Sequence, residues 1–188
     1  DNFILYTNFE KKINKVNTNL NIGLINEGET FLGASGEGLF TAKSNTFFIH
    51  NNSNIRLNSS NDIIFNIAAG QTFVDFKHDA YLKDTTITTS EYKLGLASET
   101  KDYNIKNFIG IMHPLSVVDG SLELYTISGY DKNGDYRNRK QEIDLSSSNN
   151  LHMIWNVDKF FDNNSLVSLK TSFTENNSSL TGVYVFKF

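Results

Sequence analysis

NIRLNSSNDIIFNIAAG, residues 54–70, sets the apolar pair Ile55 and Leu57 before an Asn/Ser stretch and answers it with Ile63 and Phe65. Taken alone, the stretch is a strand, a polar turn and a second strand, which is a hairpin. In a longer frame its two doublets belong to a run of eight-residue units. That frame treats them as successive rungs of a shaft.

Written in eights from Thr30, the chain reads TFLGASGE, GLFTAKSN, TFFIHNNS, NIRLNSSN, DIIFNIAA, GQTFVDFK. The second position holds Phe31, Leu39, Phe47, Ile55 and Ile63 before Gln71 breaks the series, and the fourth ends in Ile49, Leu57, Phe65 and Phe73. Alternate residues of a strand share a face, so each octad reads as one short strand with two inward side chains and one turn. Eight residues cannot complete a single-chain solenoid coil, which takes roughly 18 or more. Either three chains share each coil or successive octads fold back as a meander.

This pattern resembles the intertwined triple-stranded β-helices of phage tail spikes, related secretion spikes and the shafts of phage and viral fibres. The resemblance covers residues 30 to about 73 and is periodic in nature. It implies three parallel chains around one axis, with Phe31, Leu39, Phe47, Ile49, Ile55, Leu57, Ile63, Phe65 and Phe73 supplying the axis-facing residues.

Outward from the octads, residues 8–21 place Phe9, Ile13, Val16 and Leu20 at steps of four, three and four, the spacing of an apolar seam on a helix. This predicts a short helix, either gathering several chains as a coiled coil or lying on a domain. Residues 77–107 keep β-type alternation at Tyr92, Leu94 and Leu96 but lose the octad register, as a neck would. From 108 six longer β-type segments with turns about every ten residues suggest an antiparallel sandwich, a jelly roll being one form. The expected class is therefore mainly β, in three parts: a helical or linker segment (1–29), a β shaft and neck (30–107) and a β-sandwich head (108–188), with an intertwined homotrimer implied by the resemblance.

Composition narrows the function. The chain has 188 residues, 39% apolar and 13% aromatic, one Pro and no Cys. That is a folded chain without disulfides, thiolate zinc sites or a cysteine nucleophile. A net charge of -4 without a basic cluster argues against nucleic acid. No apolar run reaches the length of a membrane helix, so membrane insertion is not expected. There is no phosphate-binding loop, dinucleotide fingerprint or Gly-x-Ser-x-Gly, and no cofactor is expected.

DKNGDYRNRKQE, residues 131–142, imitates a calcium loop by setting Asp131, Asn133, Asp135 and Glu142 at its ligand positions, but Tyr136 stands where the loop needs Gly. The segment reads as a hairpin turn with positive φ at Gly134. The same carboxylates could serve a glycosidase only at a separation no sequence establishes. The histidines His50, His78, His113 and His152 have no ligand spacing, although three copies of His50 on a trimer axis could hold a metal. Trp155 alternates with Leu151, Met153 and Val157 and is expected in a core. The favoured binding surface is Tyr130, Asp131, Asn133, Tyr136, Arg137 and Arg139, which offers stacking faces and donors on one loop.

The expectation is a non-enzymatic homotrimeric fibre fragment, extracellular or on a virion, whose head attaches to a host-surface glycan or protein receptor. A monomeric carbohydrate-binding module and a polysaccharide-degrading tailspike are the alternatives.

Overall fold

The computed structural model describes residues 2–28, 30–31, 34–35, 41–77, 81–147, 151–161, 165–175 and 177–185. The chain is mainly β. Nine strands make one antiparallel sheet in which every strand lies beside its sequence neighbour: β1 (Phe3–Ile13), β2 (Val16–Glu27), β5 (Ala42–Arg56), β6 (Asn61–Phe76), β7 (Thr85–Thr100), β8 (Ile105–Asp119), β11 (His152–Phe160), β12 (Leu166–Phe173) and β13 (Ser178–Val185). Two small hairpins stand apart from it, β3 (Thr30–Phe31) with β4 (Ala34–Ser35) and β9 (Ser121–Tyr130) with β10 (Tyr136–Asp144).

The opening stretch is a hairpin after all. β5 and β6 pair continuously from Ala42↔Phe76 to Arg56↔Asp62, with Ile55 opposite Ile63 and Ser53 opposite Phe65. Asn58 makes the turn: its Oδ1 accepts the backbone N–H groups of Ser60 and Asn61, both at 2.9 Å. The rungs of a shaft are thus lengths of two long strands. Eight is an even number, so octad positions fall on one face of a strand whether or not a turn separates them. Leu39 lies outside the described residues, and Leu57 stands in the turn.

The helix expected over residues 8–21 is also a hairpin. Phe9 and Ile13 share a face of β1, Val16 and Leu20 share a face of β2, and the ladder sets Ile13 opposite Val16 and Phe9 opposite Leu20. The four apolar side chains do form one seam, but across two strands. Asn14, at φ 51°, supplies the left-handed residue that a tight hairpin needs.

The strands assigned to a sandwich head behave likewise. β8 pairs with β7 on one side and β11 on the other, and β12 and β13 extend the same sheet.

The two ends of the sheet differ. At one end the strands are joined through residues 14–15, 57–60, 101–104 and 161–165; at the other, through 28–41, 77–84, 120–151 and 174–177. We call these the turn end and the loop end. The main buried cluster, Ala42, Val74, Phe76, Leu82 and Ile87, sits at the loop end, where Leu122, Leu124 and Leu145 pack against it. The β9–β10 hairpin is anchored there by a Leu82↔Leu124 bridge and by the amides of Lys83 and Tyr125, which donate to the carbonyls of Glu123 and Tyr81.

Candidate functional site

The direct pairings assign every strand residue to one of two faces, and the faces differ in chemistry. One row runs Ile13, Val16, Ile55, Ile63, Leu96, Ile109, Trp155 across seven adjacent strands. The same face carries Phe9, Leu20, Ile67 and Tyr92, and also Phe65, Leu94, Ile111, Met153 and Phe173. Among the described residues no second layer covers it. Ile109 is 54% exposed, Met153 56% and Phe9 55%, far beyond the scattered apolar exposure of an ordinary surface. The total accessible surface is 13058 Å², against about 9,100 Å² expected for a compact monomer of this mass.

Charged residues avoid this face except at strand ends. Lys43, Asp75 and Asp119 lie at the loop end, and Lys11 and Lys159 at the turn end. Three polar residues within it bond to one another: Thr18 and Ser53 share a hydrogen bond of 2.8 Å, and Asn51 Nδ2 donates to Thr18 Oγ1 at 3.1 Å.

The opposite face, here called the polar face, is mixed: the loop-end cluster of Ala42, Val74, Phe76 and Ile87 lies on it, with Phe48, Ile64, Phe108 and Ile154, among many polar and charged residues. It carries Glu10, Lys12, Asn19, His50, Asn52, Asp62, Asn66, Glu91, Lys93, Lys106, Asp158 and Lys170. Glycines on this face make room for large neighbours. A Cβ on Gly95 would meet the Phe108 ring at 2.4 Å, and one on Gly23 would meet Phe48 at 2.7 Å. Lys93 Nζ in turn lies 4.2 Å from the Phe108 ring centroid, a cation–π arrangement.

Trp155 is 46% exposed on the apolar face and belongs to no core. Its alternation with Met153 and Val157 was legible; the absence of a covering layer was not.

The proposed binding residues gather on the β9–β10 hairpin. Tyr130 and Tyr136 are paired across it, with ring centroids 5.1 Å apart and both rings largely exposed. Asp131 serves the turn: its Oδ1 accepts the backbone N–H groups of Asn133 and Asp135 at 2.8 and 2.9 Å, and Gly134 takes φ 88°. Arg137 and Arg139 lie on exposed β10. On the same hairpin a hydrogen bond from Lys140 holds the Glu123 carboxyl below its usual range, and Glu123 in return holds the Lys140 ammonium above its own.

No cluster of three or more His, Asp or Glu with metal-holding geometry occurs among the described residues. No described helix is long and apolar enough to cross a membrane, which leaves strands out of account. Comparison with protein-family models, with curated proteins and with solved structures returns no match.

Proposed function

We propose that this chain forms part of the wall of a membrane-spanning β-barrel, with the apolar face against lipid acyl chains and the polar face lining the interior. The observation that carries the reading is the segregation of charge. The apolar face keeps its charged residues to the strand ends, while the face behind it also carries charge within the strands, at Glu91, Lys93 and Lys170.

The dimensions agree. From Ile63 to Phe73 on β6 this face, apolar except at Gln71, covers about 34 Å of strand, or about 25 Å of height at a tilt of about 40°, which is the height of the apolar band of such barrels. Short turns at one end and, with the exception of residues 174–177, longer connections at the other are also their habit. A membrane strand alternates its polarity, so it never produces the long apolar run that marks a membrane helix.

The test uses Trp155, the single tryptophan. On refolding into phosphatidylcholine liposomes its emission shifts to the blue and is quenched by bromine on the lipid tails. Emission that stays open to aqueous acrylamide, with no response to brominated lipid, overturns the reading.

The exposed Tyr130, Tyr136, Arg137 and Arg139 favour a second reading, attachment to a host-surface glycan or other receptor by a homotrimeric fibre. Copies of the chain would then cover the apolar face. A stable trimer in lipid-free, detergent-free buffer supports that reading against the barrel.

A further inference from the structure

The two borders of the apolar face differ in charge. At the turn end its charged side chains among the described residues are Lys11 on β1 and Lys159 on β11; at the loop end Lys43 is outnumbered by Asp75 and Asp119. Lys15, in the β1–β2 turn, adds a cation just beyond the turn-end border, while Lys101 and Asp102 offset each other in the 101–104 connection. The carboxylates of the neighbouring strand ends, Glu10, Asp62, Glu99 and Asp158, all lie on the polar face. There Asp62 is paired with Arg56 at 3.0 Å and Glu99 with Lys106 at 3.8 Å.

Lys159 shows where such a side chain goes. It belongs to the apolar face, yet its ammonium donates to the Tyr103 carbonyl and stands 5.7 Å from the Phe161 ring centroid, both in turn-end connections. An apolar stem over apolar surface with its charge carried to the edge is snorkelling. One N–H is used, and two of the three ammonium donors remain. Tyr103 is itself 65% exposed, and tyrosine favours the level of lipid headgroups.

We infer that the turn-end border of the apolar face docks against the headgroups of anionic phospholipids in one leaflet, with Lys11 and Lys159 on their phosphates. The inference rests on the lipid-facing reading and adds the lipid class and the end of the sheet that meets it. A lysine at an anionic membrane surface strengthens binding about fivefold. The net charge of -4 works the other way and repels an anionic vesicle, so a preference for one requires cations gathered where the vesicle touches.

Lipid titrations of the refolded chain, followed by the blue shift of Trp155, give partition coefficients for liposomes of phosphatidylcholine and of its equal mixture with phosphatidylglycerol. The mixture is expected to bind about tenfold more tightly, and the preference should vanish at about 1 M salt, where the Debye length is about 3 Å. Lys11→Gln and Lys159→Gln should each lower the ratio of the two coefficients about fivefold. The double variant should show no preference, and Lys43→Gln, at the loop end of the same face, should keep the wild-type ratio. A loss of folding common to both liposomes cancels in that ratio. Equal partition of the wild type, an undiminished ratio in the double variant, or a loss as large in Lys43→Gln overturns the inference, while insertion into phosphatidylcholine still upholds the barrel. No blue shift in either liposome overturns both.

Discussion

Asn66 and Ile67 are neighbours on β6, as are Lys93 and Leu94 on β7, yet each pair is divided between opposite faces of the sheet. The polar face holds together by mutual contacts: Phe48 over Gly23, Phe108 over Gly95, Lys93 over Phe108, and β9 packed against the loop end. The apolar face has few such contacts and leaves its large side chains open. The lesson is one of division of labour. Close packing is found on one side, and large exposed apolar side chains are presented on the other.

The sharpest way to break this division is to put charge on the apolar face. Leu94→Arg or Ile67→Arg should each cost about 2–4 kcal/mol of stability in the bilayer, and the double variant should fail to enter liposomes in a flotation assay. Lys93→Gln, one residue away on the other face, should float like the wild type.

A smaller effect tests the packing of the polar face. Gly95→Ala drives a methyl group into the Phe108 ring and the Ile109 carbonyl, which lie at 2.4 and 2.5 Å from an ideal Cβ. We expect a loss of about 1–3 kcal/mol, read from a urea transition. Gly182, on the apolar face, has nothing within 4 Å of an added Cβ. Gly182→Ala should fall within about 0.5 kcal/mol of the wild type.

The smallest effect belongs to the β9–β10 hairpin. The depressed Glu123 pKa means that its share of hairpin stability is present above the unfolded value of about 4.3 and is lost as pH falls through the folded one. The raised Lys140 pKa means that its share is present below about 10.4 and is lost as pH rises through the folded value. Amide exchange of Tyr125 and Lys140 should therefore quicken below about pH 4 and above about pH 10.5, with the large sheet unaffected.

How much of this was legible in the sequence depends on parity. Strand texture was legible from the octads onward but not over residues 1–29, read as a helical or linker segment, and the Tyr130 to Arg139 loop was placed correctly on a hairpin. The octad series Phe47, Ile55, Ile63 reported a real alternation, because eight contains the period of two, but it misjudged strand length. The steps of four, three and four among Phe9, Ile13, Val16 and Leu20 satisfy a helix and a tight hairpin equally well. Only the left-handed Asn14 separates the two, and Asn-Lys announces such a turn more weakly than Asn-Gly. The cationic border was not legible at all. Lys11 and Lys159 belong to strands far apart in the chain and share an end and a face only through the topology and register of the sheet.

Among the described residues β1 and β13 each pair on one side only, and every other strand of the nine is antiparallel to both of its neighbours. Nine is odd, so the two border strands point the same way, from loop end to turn end. A cylinder made from this sheet alone must carry one parallel seam. A wholly antiparallel cylinder needs an odd number of additional strands between β13 and β1.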